Sequence, residues 1–362
     1  MSDADRAVTC VAESVAFGQA KSTVESAAAC SPLIDRFGRV HRALRISVTD
    51  ACNIRCQYCM PAEGATFLPQ QRLLSFAKIE EFVRIAADLG IRKIRITGGE
   101  PLMRPQLSEL ISRLSKLSGI EDLAITTNGM LLAGQLPDLV QAGLKRINIS
   151  LDTLNDATFK LLARREGLQK VLEGIAATKA FPELRVRLNA LILREVNFDD
   201  VIPLAEFARA QHLPLRFIEF MPLDAERAWQ QQRVVTGEEL RRLLSERFGP
   251  LRALAVRDAS QPATDFEFAD GLGTVGFIDS VTRPFCSNCD RLRLTAEGRL
   301  RNCLFGHQEW DVGALLSDRM EPEERGRVIE LVRDCVAHKH AAHGIGEAEF
   351  LPPERAMYRI GG

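Results

Sequence analysis

Between residues 43 and 222 a short β-rich run gives way, six times over, to a stretch of helical period, and no other feature restricts the fold as strongly. The runs are ALRISVT, RKIRITGG, DLAITTN, KRINISLD, LRVRLNALIL and LPLRFIEFMP. Between them lie KIEEFVRIAADLG, QLSELISRLSKLSG, LPDLVQAG, GLQKVLEGIAATKAF and VIPLAEFARAQ. Repeated βα units imply an α/β fold of parallel strands with right-handed crossovers. Six units fall short of the eight that close a full barrel, so the pattern leaves an open doubly wound sheet or an incomplete barrel. A further helix, GEELRRLLSERFG, starts after Thr236 as its cap. Near residue 250 the rhythm stops, and the remainder reads as a smaller mixed region.

In such folds the site forms at the C-terminal ends of the strands. The chemically suggestive residues of this chain fall there. Cys52, Cys56 and Cys59 follow the first run, and Gly98, Gly99 and Glu100 of TGGEP follow the second. Thr126 opens TTNG at the end of the third, and Ser150 opens SLD at the end of the fourth.

The segment DACNIRCQYCM spaces its thiols C-x3-C-x2-C. Three thiolates on one loop can hold three irons of a [4Fe–4S] cube and leave the fourth without a protein ligand. No histidine or fourth cysteine lies nearby to close a zinc tetrahedron. A second group, PFCSNCDRLRLTAEGRLRNCLFGH, places Cys286, Cys289 and Cys303 near His307. Taken alone it suits a Cys3His zinc site or an iron–sulfur cluster. Arg291 and Arg293, two apart on an extended strand, share one face beside it. Paired guanidiniums suit a polyanion such as a triphosphate, although an arbitrary RLR is more often a solvated strand face.

Composition narrows the classes further. The 362 residues are 46% hydrophobic with a net charge of −1, as in a soluble globular protein with no global affinity for nucleic acid or anionic membranes. No apolar run reaches the length of a membrane span, and the early acids of the N-terminus argue against a secretory signal. A cytoplasmic, reducing compartment is expected, where nine cysteines, six of them in two clusters, mean metal rather than disulfides. Cys10, Cys30 and Cys335 stand outside the clusters; Cys335, within IELVRDCVAH, reads as a small buried residue.

The C-x3-C-x2-C spacing, with Tyr58 before the third cysteine, and TGGEP resemble the radical S-adenosylmethionine superfamily. From about Phe37 to the last residue the chain resembles one family within it, the GTP 3′,8-cyclases (molybdenum cofactor biosynthesis protein A). LRISVTDACNIRCQYCMP, KIRITGGEPLMR, TTNG, INISLD, FIEFMP, FCSNCDRLRLTAEGRLRNCL and the terminal IGG carry the likeness. It implies an incomplete (βα)6 TIM-type barrel over 36–250; the segment 1–35 lies outside the likeness and, rich in Ala, Ser and Val with weak periodicity, reads as a flexible extension. A C-terminal domain over 251–362 would carry a second cluster. Cys52, Cys56 and Cys59 would hold one [4Fe–4S] cluster and Cys286, Cys289 and Cys303 another, with His307 a bystander. S-adenosylmethionine would be held by Tyr58, Gly98, Gly99, Glu100, Ser150 and Met221. GTP would be met by Arg45, Arg95, Thr126, Arg187, Arg291, Leu292 and Arg293; the family usually has lysine at 187.

The resemblance also implies the reaction. A 5′-deoxyadenosyl radical removes hydrogen from C3′ of the GTP ribose, the carbon radical attacks C8 of guanine, and reduction gives 3′,8-cyclo-7,8-dihydro-GTP. The tail, Gly361 and Gly362, would thread toward the reacting groups. Expected partners are a low-potential donor of flavodoxin or ferredoxin type, the downstream cyclic pyranopterin monophosphate synthase and a second copy in a homodimer. The alternatives are a peptide-modifying radical enzyme, which usually has more C-terminal cysteines, and a non-catalytic iron–sulfur carrier, which would not need TGGEP.

Overall fold

The computed structural model describes residues 31–256 and 258–361; Cys10, Cys30 and Gly362 lie outside them. The six sequence runs become β1 (Ala43–Ser47), β2 (Lys93–Thr97), β3 (Asp122–Thr127), β4 (Arg146–Ser150), β5 (Arg185–Leu191) and β6 (Leu215–Ile218). All five ladders between them are parallel, in chain order. The helices between them include α1 (Phe76–Asp88), α2 (Leu107–Ser115), α3 (Leu132–Gln141), α4 (Asp156–Ala163), α5 (Leu168–Ala177) and α6 (Val201–Ala210). The expected helix after Thr236 is α7 (Gly237–Phe248), and the Thr236 side chain accepts from the Glu239 N–H. Helix α4 was not among the sequence expectations. Its signal was Asn155, whose side chain accepts from the Thr158 N–H, followed by the buried Phe159, Leu162 and Ala163.

Each strand alternates, which explains both core and interior. Leu44, Ile46, Ile94, Ile96, Ile125, Ile147, Ile149 and Leu188 join Phe82, Leu110, Leu136, Val171 and Leu204 of the helices in one apolar cluster. The intervening positions point inward, and there they are largely polar. Barrel interiors of this kind are ordinarily filled by branched apolar residues. This one therefore has an apolar shell around a polar centre.

The later strands do not build a sheet of their own. They are β7 (Arg252–Ala253), β8 (Thr264–Glu267), β9 (Thr274–Ile278), β10 (Arg291–Leu294), β11 (Arg299–Arg301) and β12 (Trp310–Asp311). Strand β9 adds parallel to β6, and β10 adds parallel to β1, giving one sheet in the order β12-β11-β10-β1-β2-β3-β4-β5-β6-β9-β8-β7. The barrel is thus incomplete, and both its edges are extended by C-terminal strands. Helix α8 (Pro322–Ala337) packs near β12 and buries Cys335 completely, as expected. The end of the expected N-terminal extension is packed rather than free: Leu33 is 1% exposed and donates its N–H to the Leu89 carbonyl.

Candidate active site

Strand register assembles the cations. Arg45 on β1 lies opposite Arg293 on β10 and Arg95 on β2, so three guanidiniums form a row across adjacent strands. A second row runs Thr126, Asn148, Arg187 across β3, β4 and β5. These side chains, with Arg291, line a cavity of about 370 Å³ in the barrel interior. Burial and then the Arg291 charge pull Arg45 down to about 9. Burial and then Arg45 hold both Arg95 and Arg293 well below the usual arginine range. Burial and then Arg216 bring Arg187 to about 10. Several buried donors and acceptors on residues that line this cavity have no hydrogen-bond partner: Arg187 Nε, Arg291 Nε and Nη2, and Asn148 Oδ1. Crowded cations with spare N–H groups are what a polyanionic ligand would satisfy.

The first cysteine loop is fastened from two sides. Arg55 and Gln57 donate backbone N–H groups to the Ala163 and Leu162 carbonyls at the end of α4, at 2.8 and 3.0 Å. On the other side Gly99 donates to Thr49 O at 2.7 Å and Glu100 to Ala51 O at 2.8 Å. A Cβ on Gly99 would lie 2.4 Å from Ala51 O, and one on Gly98 would lie 2.6 Å from Thr49 O. The glycines are needed because the backbones touch. Glu100 is 1% exposed, accepts from the Thr127 hydroxyl at 2.7 Å and the Asn128 N–H at 2.7 Å, and is raised by burial to about 7. Gly98, Gly99 and Glu100 thus brace the loop root and do not line the cavity.

Cys52, Cys56 and Cys59 are free thiols, each partly buried. Burial raises Cys52 to about 11, and raises Cys56 and Cys59 further, with the neighbouring thiols adding to the shift. Cys286, Cys289 and Cys303 form the second group, also free. There burial opposes, but Arg291 and Lys339 outweigh it, and Cys289 falls to about 6. Among the described residues no three His, Cys, Asp or Glu side chains converge as ligands of a single ion. His307 is exposed and its Nε2 faces Leu351 O at 3.2 Å, so it is no fourth ligand. Neither set resembles a closed zinc tetrahedron. The donor set of each, three free thiols and no fourth ligand, suits a cubane, in which each thiolate would take its own iron.

The tail enters between the two groups. Helix α9 (Met357–Ile360) buries Tyr358 and Ile360, the latter against Leu223 and Phe305, with Cys303 and Leu304 alongside. The Tyr358 N–H faces the Cys59 sulfur, and Arg293 Nη1 donates to Gly361 O at 2.6 Å. Gly361 has φ of +87°, and a Cβ there would meet Thr97 Oγ1 at 2.8 Å.

The Radical SAM superfamily profile matches residues 46–208, and that of Molybdenum Cofactor Synthesis C matches 213–345. The chain is 48% identical over 333 residues to the GTP 3′,8-cyclase of Rhodopirellula baltica, covering 91% of this chain and 92% of that protein. It is 41% identical over 351 residues to that of Mycolicibacterium smegmatis, covering 95% and 96%. The chain belongs to the GTP 3′,8-cyclase family. The fold is also shared with Streptococcus suis SuiB, solved bound to S-adenosylmethionine. That likeness has a TM-score of 0.55 at 15% identity and covers 77% of this chain and 65% of SuiB.

Of the residues expected from the cyclase-family resemblance, Tyr58, Ser150, Met221, Arg45, Arg95, Thr126, Arg187, Arg291 and Arg293 line the cavity. Leu292 does not: alternation turns its side chain into the apolar core, 2% exposed. Lys93, Arg146, Arg216 and Asp152 line the cavity without having been singled out. The two-residue period was their signal, since Lys93 shares a face with Arg95 on RKIRIT. Each of the three cations already has a partner, respectively Asp258, Asp122 and Asp265. Asp152, raised to about 6 by burial, accepts from the Tyr58 hydroxyl at 2.5 Å.

Proposed function

We propose that this chain is a radical S-adenosylmethionine GTP 3′,8-cyclase. It takes GTP into the cavity and joins C3′ of the ribose to C8 of guanine, giving 3′,8-cyclo-7,8-dihydro-GTP for molybdenum cofactor synthesis. The observation that carries this reading is the in-register row Arg293, Arg45, Arg95, set between two three-thiol loops. Cys52, Cys56 and Cys59 would hold one [4Fe–4S] cluster and Cys286, Cys289 and Cys303 the other. When bound, the first cluster with S-adenosylmethionine supplies the carbon-centred radical that abstracts the ribose hydrogen.

The protein's own part is binding and positioning. Arginines distant from the reacting carbons bind the anionic end, and that binding energy orients the ribose and base. Arg187 and Arg291 both line the cavity and carry buried N–H groups without a hydrogen-bond partner. Tyr58, Ser150 and Met221 also line the cavity and would hold the methionyl cofactor there. The tail closes the space between the two loops, with Gly361 held by Arg293. A cation-rich cavity in the barrel interior favours a nucleotide over the peptide alternative.

A low-potential electron donor, the downstream cyclic pyranopterin monophosphate synthase and a cytoplasmic setting follow from the family reading. Among the described residues no helix is long and apolar enough to cross a membrane. The test is anaerobic incubation of reconstituted protein with S-adenosylmethionine, a reductant and GTP. GTP-dependent 5′-deoxyadenosine together with the cyclised nucleotide is expected. Deoxyadenosine formed equally without GTP would point to another radical enzyme, and none at all to an electron carrier.

A further inference from the structure

Lys339 is 3% exposed and lies just beyond α8. Its Nζ donates to Asn302 O at 2.7 Å, to Arg291 O at 2.9 Å and to Cys289 Sγ at 3.6 Å. Three donors on one nitrogen require the ammonium form. Two of the acceptors are neutral carbonyls, and none of the three is a carboxylate. A buried cation needs an anion, and the anion within reach is the Cys289 thiolate.

The placement is also structural. Asn302 immediately precedes Cys303, and Arg291 stands two residues after Cys289. One ammonium therefore ties together the two segments that bring those thiols into place. Arg39 makes a useful contrast. It donates to Cys286 O at 2.7 Å, yet its charge is already neutralised by Asp35 at 2.6 Å. Arg39 can hold the loop but adds little net charge. Lys339 has no carboxylate among its hydrogen-bond acceptors, so it brings a positive charge and an N–H···S contact to the same thiol group, and both raise the potential of an iron–sulfur cluster.

We propose that Lys339, alongside the Arg291 cation, is a charge-compensating and positioning partner of the second cluster, stabilising its reduced, more negative state through Cys289. The proposal rests on the reading of Cys286, Cys289 and Cys303 as ligands of that cluster. It makes Lys339 a positioning residue for the cyclase, acting through a ligand and touching no substrate.

The test is an EPR-monitored redox titration of the reconstituted full-length chain, alongside iron and sulfide analysis. The signal that survives a Cys52→Ala, Cys56→Ala, Cys59→Ala variant identifies the second cluster. Lys339→Met is expected to lower the reduced fraction of that cluster tenfold at a fixed potential, a shift of about 59 mV for one electron. The first cluster's midpoint should not move, and Lys339→Arg should stay within threefold of wild type. If Lys339→Met does not retain the cluster, Lys339→Gln, which keeps a donor without the charge, is titrated against the same criterion. An unchanged midpoint without the charge overturns the proposal, as does an equal shift of both clusters, which marks general loosening. Wild-type protein that binds a single cluster overturns the ligand reading instead.

Discussion

Gly361→Ala tests whether the tail works by being docked. At φ of +87° an L side chain is strained, and its Cβ would sit 2.8 Å from Thr97 Oγ1 and 3.0 Å from Ser47 Cβ. Strain of this kind costs about 1–3 kcal/mol. Undocking also breaks the 2.6 Å bond from Arg293 to Gly361 O, and a hydrogen bond to a charged group contributes about 1.5–3 kcal/mol. Because the Arg293 bond belongs to the docked state of both proteins, the change in docking is set by the strain, at about 1–3 kcal/mol. That lowers the docked-to-free ratio roughly 5- to 140-fold, at about 1.4 kcal/mol per factor of ten. Neither thiol loop contains Gly361, so iron and sulfide content should match wild type. Product measured by chromatography after anaerobic turnover at saturating GTP should fall about fivefold or more. Full turnover by Gly361→Ala would refute the docking argument, as would a loss that merely tracks lost iron.

Three further perturbations probe other parts of the site. Gly99→Ala places a Cβ 2.4 Å from Ala51 O and 2.5 Å from Asp50 O, both backbone atoms, so the loop root must move. Overpacking of this kind costs about 1–3 kcal/mol; iron at the first cysteine loop should drop while the second keeps its own, and wild-type iron content with an unchanged melting temperature would count against it. Arg187→Lys keeps a cation where burial and Arg216 already crowd the charge, so KM for GTP should stay within about threefold; Arg187→Ala removes a charged donor of about 1.5–3 kcal/mol and should raise KM roughly 10- to 100-fold. Equal KM values for the two variants would exclude Arg187 from the anion site.

His41 gives the pH dependence. Burial, then the Lys339 charge, depress it from 6.5 to about 4, against the favourable contact with Asp35 at 3.2 Å. The unfolded chain binds this proton below pH 6.5 and the folded chain only near pH 4. The stability contribution is therefore full above pH 6.5 and is lost as pH falls from there to 4. Between pH 7 and pH 5 the loss amounts to about 2 kcal/mol, at 1.36 kcal/mol per pH unit. Urea midpoints across this range should fall more steeply in wild type than in His41→Gln, and parallel slopes would remove His41 as the cause.

How much was legible follows from where each signal lives. Strands β1 to β6 were readable because an apolar–polar alternation and a following helical period are local properties of a few residues. The three-thiol spacings were equally local, and so was the same-face placement of Arg291 and Arg293. Helix α4 was passed over because eight residues offer barely two turns of periodicity, although Asn155 marked its start. Alternation alone assigns the Leu292 side chain to the core, so a nucleotide contact there would have to come from its backbone.

The amino-acid order alone therefore determined the βα succession, the two groups of three thiols and the absence of a fourth cysteine beside either. Tertiary structure decided what those pieces meet. Parallel pairing of β10 with β1 joins residues nearly 250 positions apart, and only that register sets Arg293 beside Arg45 and Arg95. The same long-range closure brings Gly361 to Arg293 and Lys339 to Cys289. Local sequence cannot specify such contacts, because they depend on which edge strand finds which partner once the apolar shell has formed.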